Sequence, residues 1–482
     1  MMNFAKYLLE NSEKIEKKIF INKKIKYSEL NKIINSVVNK ILSNYKNQLF
    51  GMSLELSEEF LIFYLSIIRS GNTVVLIEKG LSDERYAELC KKFKINFFIT
   101  DKKFQNINFK ISKKCFKVFN IHKSINNLTL YLTNFQNKQS IKIKDVAVVM
   151  LTSGSTGVKK GVMLTHQNLI SNTNSILRTL PITQTDIVNL ILPVSYSFGL
   201  SVLNSHIKKK SNIFIHNSPF VGSLINELKK YKCTAFYGVP STFEILINNT
   251  NFMDINYPNI KYVAQAGGSL QVELKKKLLD KFKNKFFVMY GTTEASPRLS
   301  FVPAKMLKFK LNSIGRPIPG VKFKLLKINK SKDFELVVKG KNIMKGYLND
   351  EKLTKRKIKN GYFLTGDVAY KDKDGYYYIT KRIDKTIKRY GFKVNLDLIE
   401  NEVKKIEFVK YAKIFLSKEN KLILLVQSKK KMGQQIKKQI DIQLVKKFAS
   451  YEMPDEIILY NKKLSSYKKK LSVEEIFKIS SK

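Results

Sequence analysis

Two hydrophobic periods alternate along the first third of the chain. Apolar residues recur at helical spacing over Lys26–Leu42, Glu58–Ser70 and Glu84–Phe93, and short apolar runs of strand length lie between them at Gly51–Leu56, Thr73–Ile77 and Ile95–Thr100. That rhythm predicts an α/β fold, a largely parallel sheet covered by helices. It continues through a buried strand at Asp145–Leu151, a helix at Gln167–Leu177 and a strand at Asp186–Pro193. Further strands are expected at Thr234–Pro240, with Ser241–Ile247 helical behind it, at Ile260–Leu270 and at Phe286–Glu294. From Ser313 to Thr380 the pattern changes to short alternating strands, with a hairpin signal at Asp372–Gly375. Val394–Ile406 then reads as a helix, and Tyr411–Leu416 and Lys421–Gln427 read as strands. A final stretch of about 100 residues with its own strands and helices can form its own core.

Composition narrows this picture. With 482 residues, 44% of them hydrophobic, two folding units of unequal size are expected. No apolar run approaches the ~18 residues of a membrane span; Phe60–Ile68 ends at Arg69, and the N-terminus lacks an apolar signal core. The expectation is a soluble, cytoplasmic protein without a transmembrane segment. The three cysteines and four histidines are scattered, which argues against a disulfide framework and a zinc site. A net charge of +49 would suit nucleic acid, but the lysines run through the whole chain instead of clustering. Solvated surface lysine is the simpler reading. No specific nucleic-acid partner is expected, while anionic small molecules would still be attracted.

Chemistry concentrates first between Met150 and His166. Thr152, Ser153, Gly154, Ser155, Thr156 and Gly157 precede Lys159, Lys160 and Gly161, a glycine, hydroxyl and lysine composition that wraps phosphate oxygens. The spacing fits neither a Walker loop nor a dinucleotide fingerprint. A second junction, Tyr290-Gly291-Thr292-Thr293-Glu294, ends a strand in polar groups. Tyr290 offers a ring face, Thr293 a hydroxyl, and Glu294 a hard oxygen ligand for a phosphate-bound Mg²⁺. The pair Gly267 and Gly268 ends another strand, where missing side chains let a ring or phosphate approach the backbone.

The Met150–His166 stretch resembles the phosphate loop of the adenylate-forming superfamily, which includes acyl-CoA synthetases, amino-acid adenylation domains and beetle luciferases. The family usually carries Pro where this chain has Lys159. Tyr290–Glu294 resembles the family's Tyr-Gly-x-Thr-Glu motif without a mismatch, and further matches follow in family order. Tyr196, Ser197, Phe198 and Gly199 resemble an aromatic turn lining the acyl pocket, and Gly267 and Gly268 occupy the place of a glycine pair against adenine. Asp367, in Thr365-Gly-Asp, resembles the carboxylate that bridges both ribose hydroxyls, and Arg382 an arginine that reaches the ribose. Asp384 falls at the family's hinge, with Lys381 in place of its leading Gly, and Gly391 heads the segment lining the pantetheine tunnel. The tail, Leu464–Ser472, lacks the family's Pro and Gly; Lys470, with Lys469 as a near equal, takes the catalytic lysine's place.

The resemblance implies a large N-terminal adenylation domain, residues 1–383, with parallel sheets and a small β-barrel-like subdomain. Residues 384–482 would be a small, mobile α+β domain. It implies activation of a carboxylic acid by ATP and Mg²⁺, with Lys160, Thr293, Glu294 and Lys470 catalytic, followed by transfer to a thiol, coenzyme A or a pantetheinylated carrier protein. Amino-acid-activating relatives commonly place an Asp near the aromatic turn; no acidic residue lies between Leu190 and Ile225, which favours a plain acid. A nucleotide-binding protein that keeps the fold without the catalysis is the reading from another class, drawn from Lys159, Lys381 and the altered tail.

Overall fold

The computed structural model describes residues 2–21, 23, 25–101, 129–132, 143–152, 159–216, 218, 221–329, 331–383, 386–390, 392–417, 421–428 and 433–460. They divide into two compact units, one built from Met1–Thr152 and Lys159–Lys381 and the other beginning at Arg382.

The larger unit holds two seven-stranded sheets. In the first, Val146–Thr152, Thr73–Leu76, Leu49–Ser53 and Phe97–Thr100 run parallel in that spatial order. Val146–Met150 is buried without interruption, as a strand covered on both faces must be. Both edges are antiparallel: Thr129–Leu132 on one side, Lys160–Thr165 and then Gly346–Tyr347 on the other. In the second sheet Asn212–Ile215, Ile187–Leu190, Ala235–Gly238, Tyr262–Gln265 and Phe286–Gly291 are parallel, and Arg298–Val302 and Arg316–Pro317 close it antiparallel. The expectation of a largely parallel sheet therefore holds for the sheet centres but not for their edges.

One apolar core joins the sheets and the helices against them. The helix Glu58–Arg69 shows how the sequence sets such an element. Ser57 Oγ caps it by accepting from Phe60 N at 3.1 Å, Glu58 and Glu59 lie in its first turn, and Arg69 closes it. Its middle is apolar all round but for Ser66, and Phe60–Ile68 are buried. An antiparallel sheet follows, with Val321–Lys327, Phe334–Gly340, Tyr362–Lys371 and Ile358–Lys359 in order and Tyr377–Arg382 also paired to Tyr362–Lys371. Gly375, at φ +83°, makes the hairpin that its sequence signalled.

The smaller unit has a hairpin, Thr386–Arg389 with Phe392–Asn395, and a mixed three-stranded sheet of Val409–Leu416, Leu422–Ser428 and Glu456–Tyr460. Helices Leu396–Val403 and Gly433–Val445 bury Ile399, Val403, Ile436, Ile440 and Leu444 in a separate core. Arg389 is anchored there by donating to the carbonyls of Tyr451 at 3.1 Å and Met453 at 2.8 Å, and by pairing with Asp455.

Candidate active site

The helix expected at Gln167–Leu177 is present as His166–Thr179, but the stretch before it, read in sequence as a loop, contains a strand. Lys160–Thr165 folds back along Val146–Thr152, and the helix His166–Thr179 begins only afterwards, its Thr165 cap accepting from Asn168 N at 3.1 Å. Apolar Val162, Met163 and Leu164 satisfy either period, and pairing with an already buried strand decides for the hairpin. Thr152 and Lys160 face each other across this pair. Ser153, Gly154, Ser155, Thr156 and Gly157 lie outside the described residues, as do Asp384, Gly391, Lys469 and Lys470.

The candidate residues do not come from one sheet edge. Thr152 and Lys160 belong to the first sheet, Tyr290 and Gly291 to the second. What brings them together is Tyr347, on the outermost strand of the first sheet. Its hydroxyl donates to Glu294 Oε1 at 3.0 Å, and its ring lies 5.8 Å from Lys160 Nζ. Thr292 Oγ1 donates to the other Glu294 oxygen at 2.5 Å, and Met344 N donates to the Glu294 carbonyl at 2.8 Å. Glu294 is buried, and an ionised carboxylate accepts only, so it is a hard oxygen ligand of the kind a divalent cation takes. Among the described residues no three His, Cys, Asp or Glu side chains converge on a metal position. A single carboxylate fits a cation held mainly by phosphates and water, which is how magnesium sits beside nucleotides.

Thr293 Oγ1 lies 3.0 Å from Ser197 Oγ, tying the acidic junction to the aromatic turn. Tyr290 donates its hydroxyl to buried Asp367, whose own N–H donates to Thr365 Oγ1 at 3.1 Å. Gly267 takes φ +90°, and Gly268 offers its carbonyl to Gln265 Nε2 at 2.8 Å. Arg382 closes the strand Tyr377–Arg382 and falls in the smaller unit. Lys381, at the family's Gly position, pairs with Asp333 at 2.6 Å.

Two glycines set the shape of these turns. A Cβ on Gly199 would fall 2.3 Å from the Pro193 carbonyl oxygen, and one on Gly291 would fall 2.2 Å from that of Pro297. Ser197 and Phe198 open the helix Ser197–Lys209, so the aromatic turn is the first turn of a helix.

Sequence reasoning missed three side chains here. Tyr347 carries no motif signal in isolation. Glu78, just past the strand Thr73–Leu76, accepts from Lys159 Nζ at 2.9 Å and from the Tyr196 hydroxyl. Lys159, which stands where the family has Pro, is thus tied back to the aromatic turn. Arg298 is the third, and a lone arginine heading the apolar run Leu299–Val302 was the available signal. It is buried, its guanidinium lies 5.4 Å from the Phe198 ring centre and touches the Met289 sulfur, and no carboxylate among the described residues pairs with it. Burial pushes it down to about 10, still charged at neutral pH. A cation–π contact contributes about 0.5–2 kcal/mol, whereas removing an ion from water costs several kcal/mol. The ring contact alone does not offset that cost.

Behind this wall runs a buried relay. Tyr237 donates to the Tyr262 hydroxyl at 3.3 Å, which meets His206 Nε2 at 3.1 Å, while His206 Nδ1 lies 2.8 Å from the Val202 carbonyl. The carbonyl accepts only, so Nδ1 carries the proton and Nε2 accepts from Tyr262. Burial holds the imidazole neutral, its pKa lowered to about 4.

Comparison with known proteins decides the family. The model for AMP-binding enzymes matches residues 10–348, well over half of the chain. This chain is an AMP-binding enzyme of the adenylate-forming superfamily. It is 31% identical over 276 residues to a long-chain-fatty-acid–CoA ligase of Escherichia coli, a match covering 55% of this chain and 49% of that enzyme. The match thus spans about half the length of such curated relatives. Among solved structures, o-succinylbenzoate CoA synthetase from Bacillus subtilis has a TM-score of 0.79 at 20% identity, covering 96% of this chain and 95% of that one. The same synthetase in complex with ATP and magnesium ion gives 0.67 at 20% identity, covering 95% and 96%. The amide bond synthetase McbA from Marinactinospora thermotolerans gives 0.78 at 13% identity, covering 96% of each chain. Among the described residues of this AMP-binding enzyme, no helix is long and apolar enough to cross a membrane.

Proposed function

We propose that this AMP-binding enzyme is an AMP-forming acid–thiol ligase acting in the cytoplasm. A carboxylate oxygen attacks the α-phosphorus of ATP, giving acyl-AMP and pyrophosphate; a thiol then attacks the acyl carbonyl and AMP leaves. The observation that carries this reading is the Lys160, Tyr347 and Glu294 assembly, which sets a cation and an acid carboxylate around one tyrosine beside the Thr293–Ser197 hydroxyl pair. That set matches what charged phosphates need: a lysine to offset charge and hydroxyls to orient oxygens.

In this reading Lys160 and the loop Thr152–Gly157 face the phosphates, and Thr293 orients the α-phosphate. Gly267 and Gly268 admit the adenine beside Tyr290, Gly291 and Thr292, while Asp367 and Arg382 take the ribose. Tyr290, bonded to Asp367, fixes the orientation of that carboxylate, which accepts hydroxyl donors. Mg²⁺ held by Glu294 and the phosphates would neutralise charge as pyrophosphate departs. Tyr196, Ser197, Phe198 and Gly199 line the acid's site. Lys470 would approach the reacting carboxylate, and the domain 384–482 would turn about Asp384 to present Gly391 for the second step.

The names of the relatives, CoA ligases and a CoA synthetase complexed with ATP and magnesium, support ATP, Mg²⁺ and coenzyme A as substrates. A pantetheinylated carrier protein presents the same thiol arm and stays the alternative acceptor. The test is ATP–pyrophosphate exchange against short, medium, long-chain, aromatic and amino acids. Exchange with one acid class, reduced at least a hundredfold by Lys160→Ala, is the expected result (roughly two orders for a lost charge stabiliser). ATP binding without exchange for any acid would instead make this a nucleotide-binding protein that keeps the fold.

A further inference from the structure

The side chains beyond the Thr293–Ser197 pair do not suit a fatty acyl chain. Ser197 and Phe198 are consecutive residues in the first turn of one helix; Ser197 Oγ meets Thr293 Oγ1 at 3.0 Å, and the Phe198 ring lies 5.4 Å from the Arg298 guanidinium. Arg298 also stands directly opposite Gly291 across the strand pair that ends in the acidic junction. Gly291 must be glycine there, because the Pro297 carbonyl oxygen lies 2.2 Å from where a Cβ would sit and the two backbones pack closely. Thr293, two positions after Gly291, and Arg298, opposite Gly291, are therefore held close to each other, with Ser197 and Phe198 of one helix turn meeting one each.

The charge there is unmatched. Arg298 is 3% exposed and has no carboxylate partner among the described residues, and its neighbours are Phe198, Met289 and Tyr237, all neutral. Tyr237 spends its hydroxyl on Tyr262. An acyl chain of methylenes against this guanidinium would keep the charge buried and unpaired, whereas a second carboxylate would pair with it in the bidentate manner arginine allows. The register that sets Arg298 opposite Gly291, two positions before Thr293, makes the span short.

From this we infer that the acid activated at the site is a short dicarboxylic acid, its second carboxylate bound by Arg298. The inference rests on the acid-activating reading and deepens it. Arg298 becomes the residue that separates this chain's substrate from the long aliphatic acids named for its Escherichia coli relative.

The experiment is ATP–pyrophosphate exchange with acids matched in length, butyrate against succinate and hexanoate against adipate, with decanoate as the aliphatic reference. The wild-type chain should use the diacid of its favoured pair with a kcat/KM roughly a hundredfold above the monoacid. Arg298→Met, close to arginine in length but uncharged, should abolish that advantage mainly through KM and leave the monoacid unchanged or better; Arg298→Lys should restore part of it. A wild-type preference for decanoate or any monoacid would overturn the inference. So would equal loss on both members of a pair in a folded Arg298→Met chain, because arginine would then serve only the packing. Thermal stabilisation of the full-length chain by millimolar succinate or adipate, without ATP, is measured alongside. Should no acid support exchange, the ligase reading fails by itself: stabilisation by a diacid, absent with the monoacid and in Arg298→Met, would still support the site, and no stabilisation would overturn it.

Discussion

His206 illustrates how a single side chain's surroundings set its chemistry. Histidine in a helix is unremarkable in sequence, but here it is fully buried and held neutral between the Val202 carbonyl and the Tyr262 hydroxyl. Its pKa falls to about 4 in the folded chain against an ordinary value of 6.5, so the unfolded chain takes the proton first as pH drops. The stability it contributes is complete above pH 6.5 and is lost as pH falls towards 4, on the order of 3 kcal/mol across that window. Urea unfolding at pH 8, 6 and 4 should show this loss, and His206→Gln should flatten it while lowering stability at pH 8. A variant with the same steep acid dependence would assign the effect to other groups. Glu294 and Asp367 were legible in the sequence because each stands in a short motif. Glu78, Tyr347 and Arg298 were not, because each acts through a partner more than 50 positions away: Tyr196, Glu294 and Phe198.

The elements that carry the site are strand ends and one helix start, and their placement depends on close backbone contact. Gly199 is the sharpest case, since a methyl there would meet two carbonyl oxygens, of Pro193 at 2.3 Å and Leu192 at 2.7 Å. Backbone atoms cannot swing aside as a side chain does. Gly199→Ala should shift the start of the helix, move Ser197 away from Thr293 and destabilise the chain by about 1–3 kcal/mol. Exchange activity should fall at least tenfold more than thermal melting at the assay temperature accounts for. Unchanged kinetics would mean that the turn absorbs the methyl. Hydrophobic period placed the strands that lead into the site within a few positions, but not the helix Ser197–Lys209 or the strand Arg298–Val302. It also missed Lys160–Thr165, where the three-residue apolar run Val162–Leu164 has no intrinsic preference and the neighbouring strand Val146–Thr152 supplies the hydrogen bonds.

Across the molecule, the two units have separate cores, and the family's hinge position, Asp384, follows Arg382 and Ile383 where the second unit begins. If Asp384 is the pivot of the proposed turn, Asp384→Pro, which fixes one backbone torsion, should leave ATP–pyrophosphate exchange within about threefold and reduce thioester formation at least a hundredfold. Equal loss of both steps would remove Asp384 from that role. The local pattern of residues was enough to establish an α/β chain with a strand-rich segment after it, a final unit with its own core and an acidic strand end. Those are properties of short windows, where hydrophobic period and the chemistry of adjacent side chains are complete in the sequence. That two sheets rather than one supply the candidate site, that Tyr347 joins Lys160 to Glu294, and that Arg298 is buried with no carboxylate partner among the described residues arise from packing between distant segments. Which side chains meet there depends on how the elements stack and what each leaves unpaired, and no window of the sequence contains both partners.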